Sequence, residues 1–166
     1  VPQLEKDIDS AILSSDEMAD NASPALKSIR RDIRNKNDQI KSRLSKYTGS
    51  SSAQYLQDTL ATIRNGRYVI PVKREYASHV PGLVHDQSST GATLFIEPQS
   101  IVHMNNELRQ LEMDEQAEIT RILQAFSGRV AEHHHEIANN QDLLVELDFI
   151  NAKGKFSIDL DAREPS

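Results

Sequence analysis

The chain has no cysteine and no tryptophan, and aromatic residues make up only 5% of its 166 positions. Missing thiols exclude disulfides, thiolate zinc sites and a cysteine nucleophile together, and they fit a reducing compartment. So few bulky rings argue against a thick globular core and favour thin, helix-on-helix packing. No apolar run approaches the roughly 20 residues that a membrane span needs, and no charged-then-apolar leader is present. No membrane partner and a cytoplasmic location are therefore expected. The chain opens at Val1 rather than at Met, which suggests a piece of something longer. Its length gives room for one domain, or for one domain with a smaller insert.

Several chemistries are missing as well. There is no Gly-x-x-x-x-Gly-Lys-Ser/Thr loop to cradle phosphates. Ser88-Ser89-Thr90-Gly91 beside His85 and Asp86 holds the residue types of a hydrolase triad. It lacks the nucleophile elbow, and three groups on one short hairpin cannot converge. His133, His134 and His135 are consecutive, so on a helix they point about 100° apart and cannot share a metal as an i, i+4 pair does. His79, His85 and His103 lie far off in sequence. No catalytic, cofactor or metal site is assigned.

What the chain does carry is charge, unevenly spread. Residues 1–23 are net −5, residues 24–47 net +6, residues 48–96 net +1 and residues 97–148 net −8. The basic and acidic stretches read as complementary faces of an antiparallel helix pair, with a phosphate track as the alternative.

Ser23-Pro24 reads as a helix start, a side-chain cap followed by proline at the first helical position. From there Leu26, Ile29, Ile33, Ile40, Leu44 and Tyr47 form a narrow apolar stripe that ends at Gly49 and the serines after it. A short helix is expected at Ala53–Asp58. The pattern then changes: Asn65-Gly66 between β-branched segments is a strong hairpin signal. Pro71 places the second strand at an edge or beside a bulge. Further strands are expected at Leu83–Gln87 and Ala92–Ile96, turned by Ser88–Gly91. After Pro98 the helical period returns in Ile101, Met104, Leu108, Leu111, Ile119, Ile122, Phe126, Val130 and Ile137. A helix running to about Asn139 would be roughly 60 Å long. Asn139-Asn140 is expected to break it, and Leu143, Leu144, Leu147, Ile150 and Ala152 to begin a last helix. The expected fold is mainly α with a small β insert, in which long antiparallel helices carry a small antiparallel sheet at the tip. Its divisions are a first helical arm over 1–60, the sheet over 61–97, and a return arm with a final helix over 98–166.

The basic residues of the insert, Arg64, Arg67, Lys73 and Arg74, concentrate near one hairpin with Tyr68 and Tyr76 interleaved. Such a set suits salt-sensitive contact with a nucleic-acid backbone. It equally suits exposed strand residues that keep an edge from aggregating. Composition leaves both open.

Thr62–Lys73 and Val80–Pro98 together resemble the MutS-two family, bacterial paralogues of the mismatch-repair ATPase MutS. Ala22–Ile33, Asn105-Asn106-Glu107-Leu108 and the acidic helix after them are similar to it too. The resemblance implies a lever and clamp region in which two long helices carry a β clamp, paired clamps closing on DNA in a homodimer. It implies that Arg64, Arg67, Lys73 and Arg74 touch branched or duplex DNA while the helices couple the clamp to an ATPase. It further implies ATP and Mg in an ATPase domain, a C-terminal Smr nuclease domain, suppression of recombination, and action on stalled or collided ribosomes and their RNA. Neither the phosphate loop nor the Smr domain lies within this chain, so no hydrolysis or cleavage is assigned to it. A protein-interaction and dimerisation module is the alternative, because a lone helix cannot bury the stripe of 101–137.

Overall fold

A computed structural model describes residues 2–14, 17–49, 51–138, 144–152 and 155–163, with those from 136 onward as backbone. Helix α1 (Pro2–Ala11) is followed by two short paired strands, β1 (Ile12–Ser14) and β2 (Glu17–Met18). Helix α2 covers Pro24–Thr48. Its start is the expected one: Ser23 Oγ accepts a hydrogen bond from the Leu26 N–H at 2.9 Å, with Pro24 in the first turn. The short helix expected at 53–58 is a 3-10 turn over Ser51–Tyr55.

The insert is a sheet of β3 (Thr62–Arg64), β4 (Arg67–Lys73), β5 (Gly82–Gln87) and β6 (Thr93–Pro98), in the order β3-β4-β6-β5 and antiparallel throughout. Asn65 and Gly66 both take positive φ, 53° and 75°. That is the backbone a two-residue hairpin demands, which few residues other than Asn and Gly accept. Pro71 sits inside β4, yet its carbonyl accepts from the Gln57 N–H at 2.9 Å, beyond the end of β3. The N and O of one strand residue point to the same side. The missing N–H therefore faces the side bridged by Leu56 and Gln57 and takes nothing from the β4–β6 ladder, so Pro71 sits in an inner strand with no bulge rather than at the expected edge. A 3-10 turn, Arg74–His79, leads from β4 towards β5.

Helix α3 then runs Val102–Ala138. The helix expected after it does not form: residues 144–152 are β7 (Leu144–Ala152), paired antiparallel with β8 (Lys155–Arg163). Val145-Glu146-Leu147-Asp148-Phe149 and Phe156-Ser157-Ile158-Asp159-Leu160 alternate apolar and polar, a strand period that outweighs the leucine spacing. The register sets Leu147 opposite Leu160 and Phe149 opposite Ile158. The expected break at Asn139-Asn140, and Leu143, lie outside the described residues.

The residues divide into two compact units, one from the described residues up to 30 and from 114 on, the other from 31 to 113. Helices α2 and α3 contribute to both, and each unit has its own core. In the first, Leu4, Ala11, Met18 and Leu26 pack with Ile119, Ile122, Leu123, Phe126 and Val130. In the second, Ile40 and Leu44 of α2 and Ile101 and Leu108 pack against Ile70, Val72, Leu94 and Ile96 of the sheet. The basic and acidic helix faces meet as the charge pattern suggests. Arg30 pairs with Glu115 at 3.0 Å in the first unit, and Lys36 with Glu107 at 2.8 Å in the second. The Lys36 hydrogen bond holds Glu107 below the ordinary carboxylate range, and burial opposes it only in part. No helix among the described residues is long and apolar enough to cross a membrane.

Candidate functional site

Strand alternation sorts the candidate cations. Tyr68, Ile70 and Val72 of β4 face the helical core, and the Tyr68 hydroxyl donates to Asn37 Oδ1 at 2.6 Å. Arg67, Val69, Pro71 and Lys73 occupy the opposite face, and Arg64 joins them because it pairs with Arg67 across the hairpin. Three of the four predicted residues therefore share the sheet face turned away from the core. The fourth, Arg74, opens the 3-10 turn after β4.

Their surroundings differ. Lys73 makes no side-chain hydrogen bond or ion pair among the described residues. Arg64 lies 4.4 Å over the Phe95 ring and 3.4 Å from Asp86, with its side chain 40% exposed. Arg74 donates through Nε to the Gly91 carbonyl at 2.6 Å and through Nη2 to Gln87 at 2.9 Å, bracing the β5–β6 turn from an exposed position.

Arg67 is spent inward. It donates through Nε at 3.0 Å, and again through Nη2, to Oε2 of Glu97, a residue with no exposed surface. Its Nη1 reaches Asn106 Oδ1 at 2.6 Å. The same Glu97 oxygen accepts from Asn105 Nδ2 at 2.8 Å, and Oε1 lies 2.7 Å from His85 Nε2. An ionised carboxylate only accepts, so His85 Nε2 carries the shared proton. Burial alone would push the Glu97 carboxyl up; the hydrogen bonds of Arg67, His85 and Asn105, with the Arg67 charge, outweigh it and hold the group below its ordinary value. A bulge delivers the histidine: the register steps from Val84↔Ile96 to Asp86↔Phe95, leaving His85 as the extra residue.

Asn105 does a second thing. Its Oδ1 accepts from the Tyr68 N–H at 3.1 Å and its Nδ2 donates to the Tyr68 carbonyl at 3.2 Å. In a two-residue hairpin the pair flanking the turn exchanges both hydrogen bonds, so Tyr68, one residue on, turns its N–H and C=O away from β3. β6 ends there at Pro98. The Asn105 carboxamide thus stands in for the next peptide of β6. Sequence reasoning missed this network: Glu97 reads there as one acid among eleven on the acidic stretch. An acid closing the otherwise apolar run Leu94-Phe95-Ile96 was the available signal. Among the described residues no three His, Asp or Glu side chains gather as metal ligands.

Fold and site together define a class: within the 31–113 unit, segments of α2 and α3 pack on an inserted four-stranded sheet, with cations on the face turned from that core. No protein-family model matches the chain. Curated proteins do. It is 53% identical over 162 residues to an "Endonuclease MutS2" of Clostridium perfringens (strain SM101 / Type A), covering 98% of this chain and 20% of that protein. To the "Endonuclease MutS2" of Clostridium botulinum (strain Eklund 17B / Type B) it is 51% identical over 165 residues, 99% of this chain and 21% of that protein. That of Alkaliphilus oremlandii (strain OhILAs) is 49% identical over 163 residues, again 21% of its length. The chain belongs to the MutS2 family, and it spans about a fifth of the length of the curated relatives it matches.

Proposed function

We propose that this chain is the non-catalytic lever and clamp region of a MutS2-type protein. Its sheet contacts the phosphate backbone of branched or duplex DNA, and its helices couple that contact to an ATPase that uses ATP and Mg. The nuclease activity in the relatives' name belongs, on this reading, to another part of the longer protein, and two clamps act together in a homodimer. The observation that carries the reading is the placement of Arg64 and Lys73 on the sheet face turned from the core, with Arg74 directly after them. Arg67 shares that face, but its charge is matched by Glu97. Its part is to hold the hairpin in place, and the phosphate contacts fall to Arg64, Lys73 and Arg74. Fluorescence anisotropy with a duplex, a four-way junction and a structured RNA, each at two salt concentrations, tests this. Salt-sensitive binding that prefers the junction supports the DNA clamp; preference for RNA moves the target to ribosomes; no binding to any of them refutes the contact surface.

The partner-protein alternative loses its first motivation, because Ile101, Leu108, Ile119, Ile122, Phe126 and Val130 are already buried within the chain. A different observation favours it: Leu83 and Val84 on the edge strand β5 are 52% and 56% exposed. Sedimentation of the chain over a wide concentration range tests that reading, and a monomer throughout argues against self-association.

A further inference from the structure

Beside Lys73 and Arg74 stands an aromatic cluster that takes no part in the Glu97 network. Tyr55 closes one 3-10 turn, and Tyr76 and His79 sit on the other, Arg74–His79. The Tyr55 and His79 rings are stacked, with centroids 4.6 Å apart and planes 12° from parallel. Tyr76 leans on both, 5.1 Å from Tyr55 and 5.8 Å from His79 at tilts of 46° and 58°. Tyr76 in turn packs against the core of the sheet. The tyrosines are half-buried and His79 is exposed. Tyr55 covers one face of the imidazole, and His79 as a residue remains exposed.

We propose that an unpaired DNA base stacks on the outer face of His79 and continues the Tyr55–His79 stack, while Lys73 and Arg74, at the start of the same segment, hold the phosphates of its strand. This rests on the backbone-contact reading above and adds a preference for unpaired nucleotides to it. The chemistry fits on two counts. A flat, exposed ring whose partner rings already fix its orientation loses little freedom when a base settles on it. Every base offers a π-face, so such a platform is indifferent to sequence. The adjoining charge selects a planar group that carries phosphate: Lys73 and Arg74 outnumber Glu75, the acid of that turn. Tyr68, the other tyrosine near the basic residues, is spent on Asn37 and the core.

The test is an anisotropy titration of the chain with labelled duplexes carrying a short gap, the unpaired positions being either thymidines or abasic sites. The thymidine gap should bind about five- to tenfold more tightly than the abasic gap, the lower end for one base on an aromatic ring. His79→Ala should reduce that ratio to about one, and His79→Phe should retain it. Equal affinity for the two gaps in the unmodified chain, or a preference that survives His79→Ala, overturns the stacking site while leaving backbone contact standing. A preference seen only with ribonucleotides in the gap overturns the DNA assignment. Binding to no probe removes the backbone contact, and the stacking site with it.

Discussion

Glu97 is the residue on which the hairpin's geometry depends, and Glu97→Gln tests this without changing volume. The glutamine keeps one acceptor oxygen but sets an NH2 donor against donors from Arg67, His85 or Asn105. It also removes the charge that Arg67, only 17% exposed at its side chain, is buried against. Breaking a buried ion pair by removing one partner costs about 3–5 kcal/mol. Residual solvent at Arg67 places this case near the lower figure, about 3 kcal/mol. At a urea dependence of about 1.5–2 kcal/mol per M, the unfolding midpoint should fall by roughly 1.5–2 M. The four tyrosines, Tyr47, Tyr55, Tyr68 and Tyr76, all lie in the 31–113 unit, so intrinsic tyrosine fluorescence follows that unit alone. Arg67→Met should be similarly damaging. The double variant should recover much of the loss, because an uncharged pair leaves no ion stranded. A loss under about 1 kcal/mol for Glu97→Gln, the range of an exposed pair, would refute the reasoning. So would strictly additive single and double variants.

Two further outcomes follow from the same site. Because the folded carboxyl of Glu97 lies below its ordinary value of 4.5, its contribution to stability is present above that pH and fades as pH falls through the folded value. An acid titration followed by tyrosine fluorescence should show the unmodified chain losing more stability below about pH 4.5 than Glu97→Gln does; identical acid limbs would contradict this. At Gly82, an added Cβ would lie 2.1 Å from the Glu97 carbonyl oxygen, so Gly82→Ala must displace the β5–β6 pairing. It should cost about 1–3 kcal/mol in the same urea experiment, and an unchanged midpoint would refute the close approach.

Most of the architecture was legible because it rests on local signals. Ser23-Pro24 marks a helix start through capping chemistry, and Asn65-Gly66 marks a hairpin through positive φ. The complementary charge of 24–47 and 97–148 anticipated the pairs Arg30–Glu115 and Lys36–Glu107. Residues 144–163 were misread where two periods compete. Leu143, Leu144, Leu147 and Ile150 fit a helix, while the alternation around them, answered by Phe156-Ser157-Ile158, fits the strands that form. The fate of Arg67 was not legible at all. Four cations look alike in sequence; what separates them is a carboxylate thirty residues away, brought opposite by the pairing of β4 with β6. The aromatic cluster is likewise tertiary, joining Tyr55 of one 3-10 turn to Tyr76 and His79 of the other.

The central claim is that the outer face of the sheet holds a nucleic-acid backbone through Arg64, Lys73 and Arg74. The measurement that reaches it most directly is the slope of log affinity against log salt for a four-way DNA junction, taken for the unmodified chain and for the variant with all three replaced by alanine. Each lost phosphate contact should flatten the slope by about 0.9, so the triple variant should bind more weakly with a slope flatter by about 2–3. An unchanged affinity and an unchanged slope would contradict it.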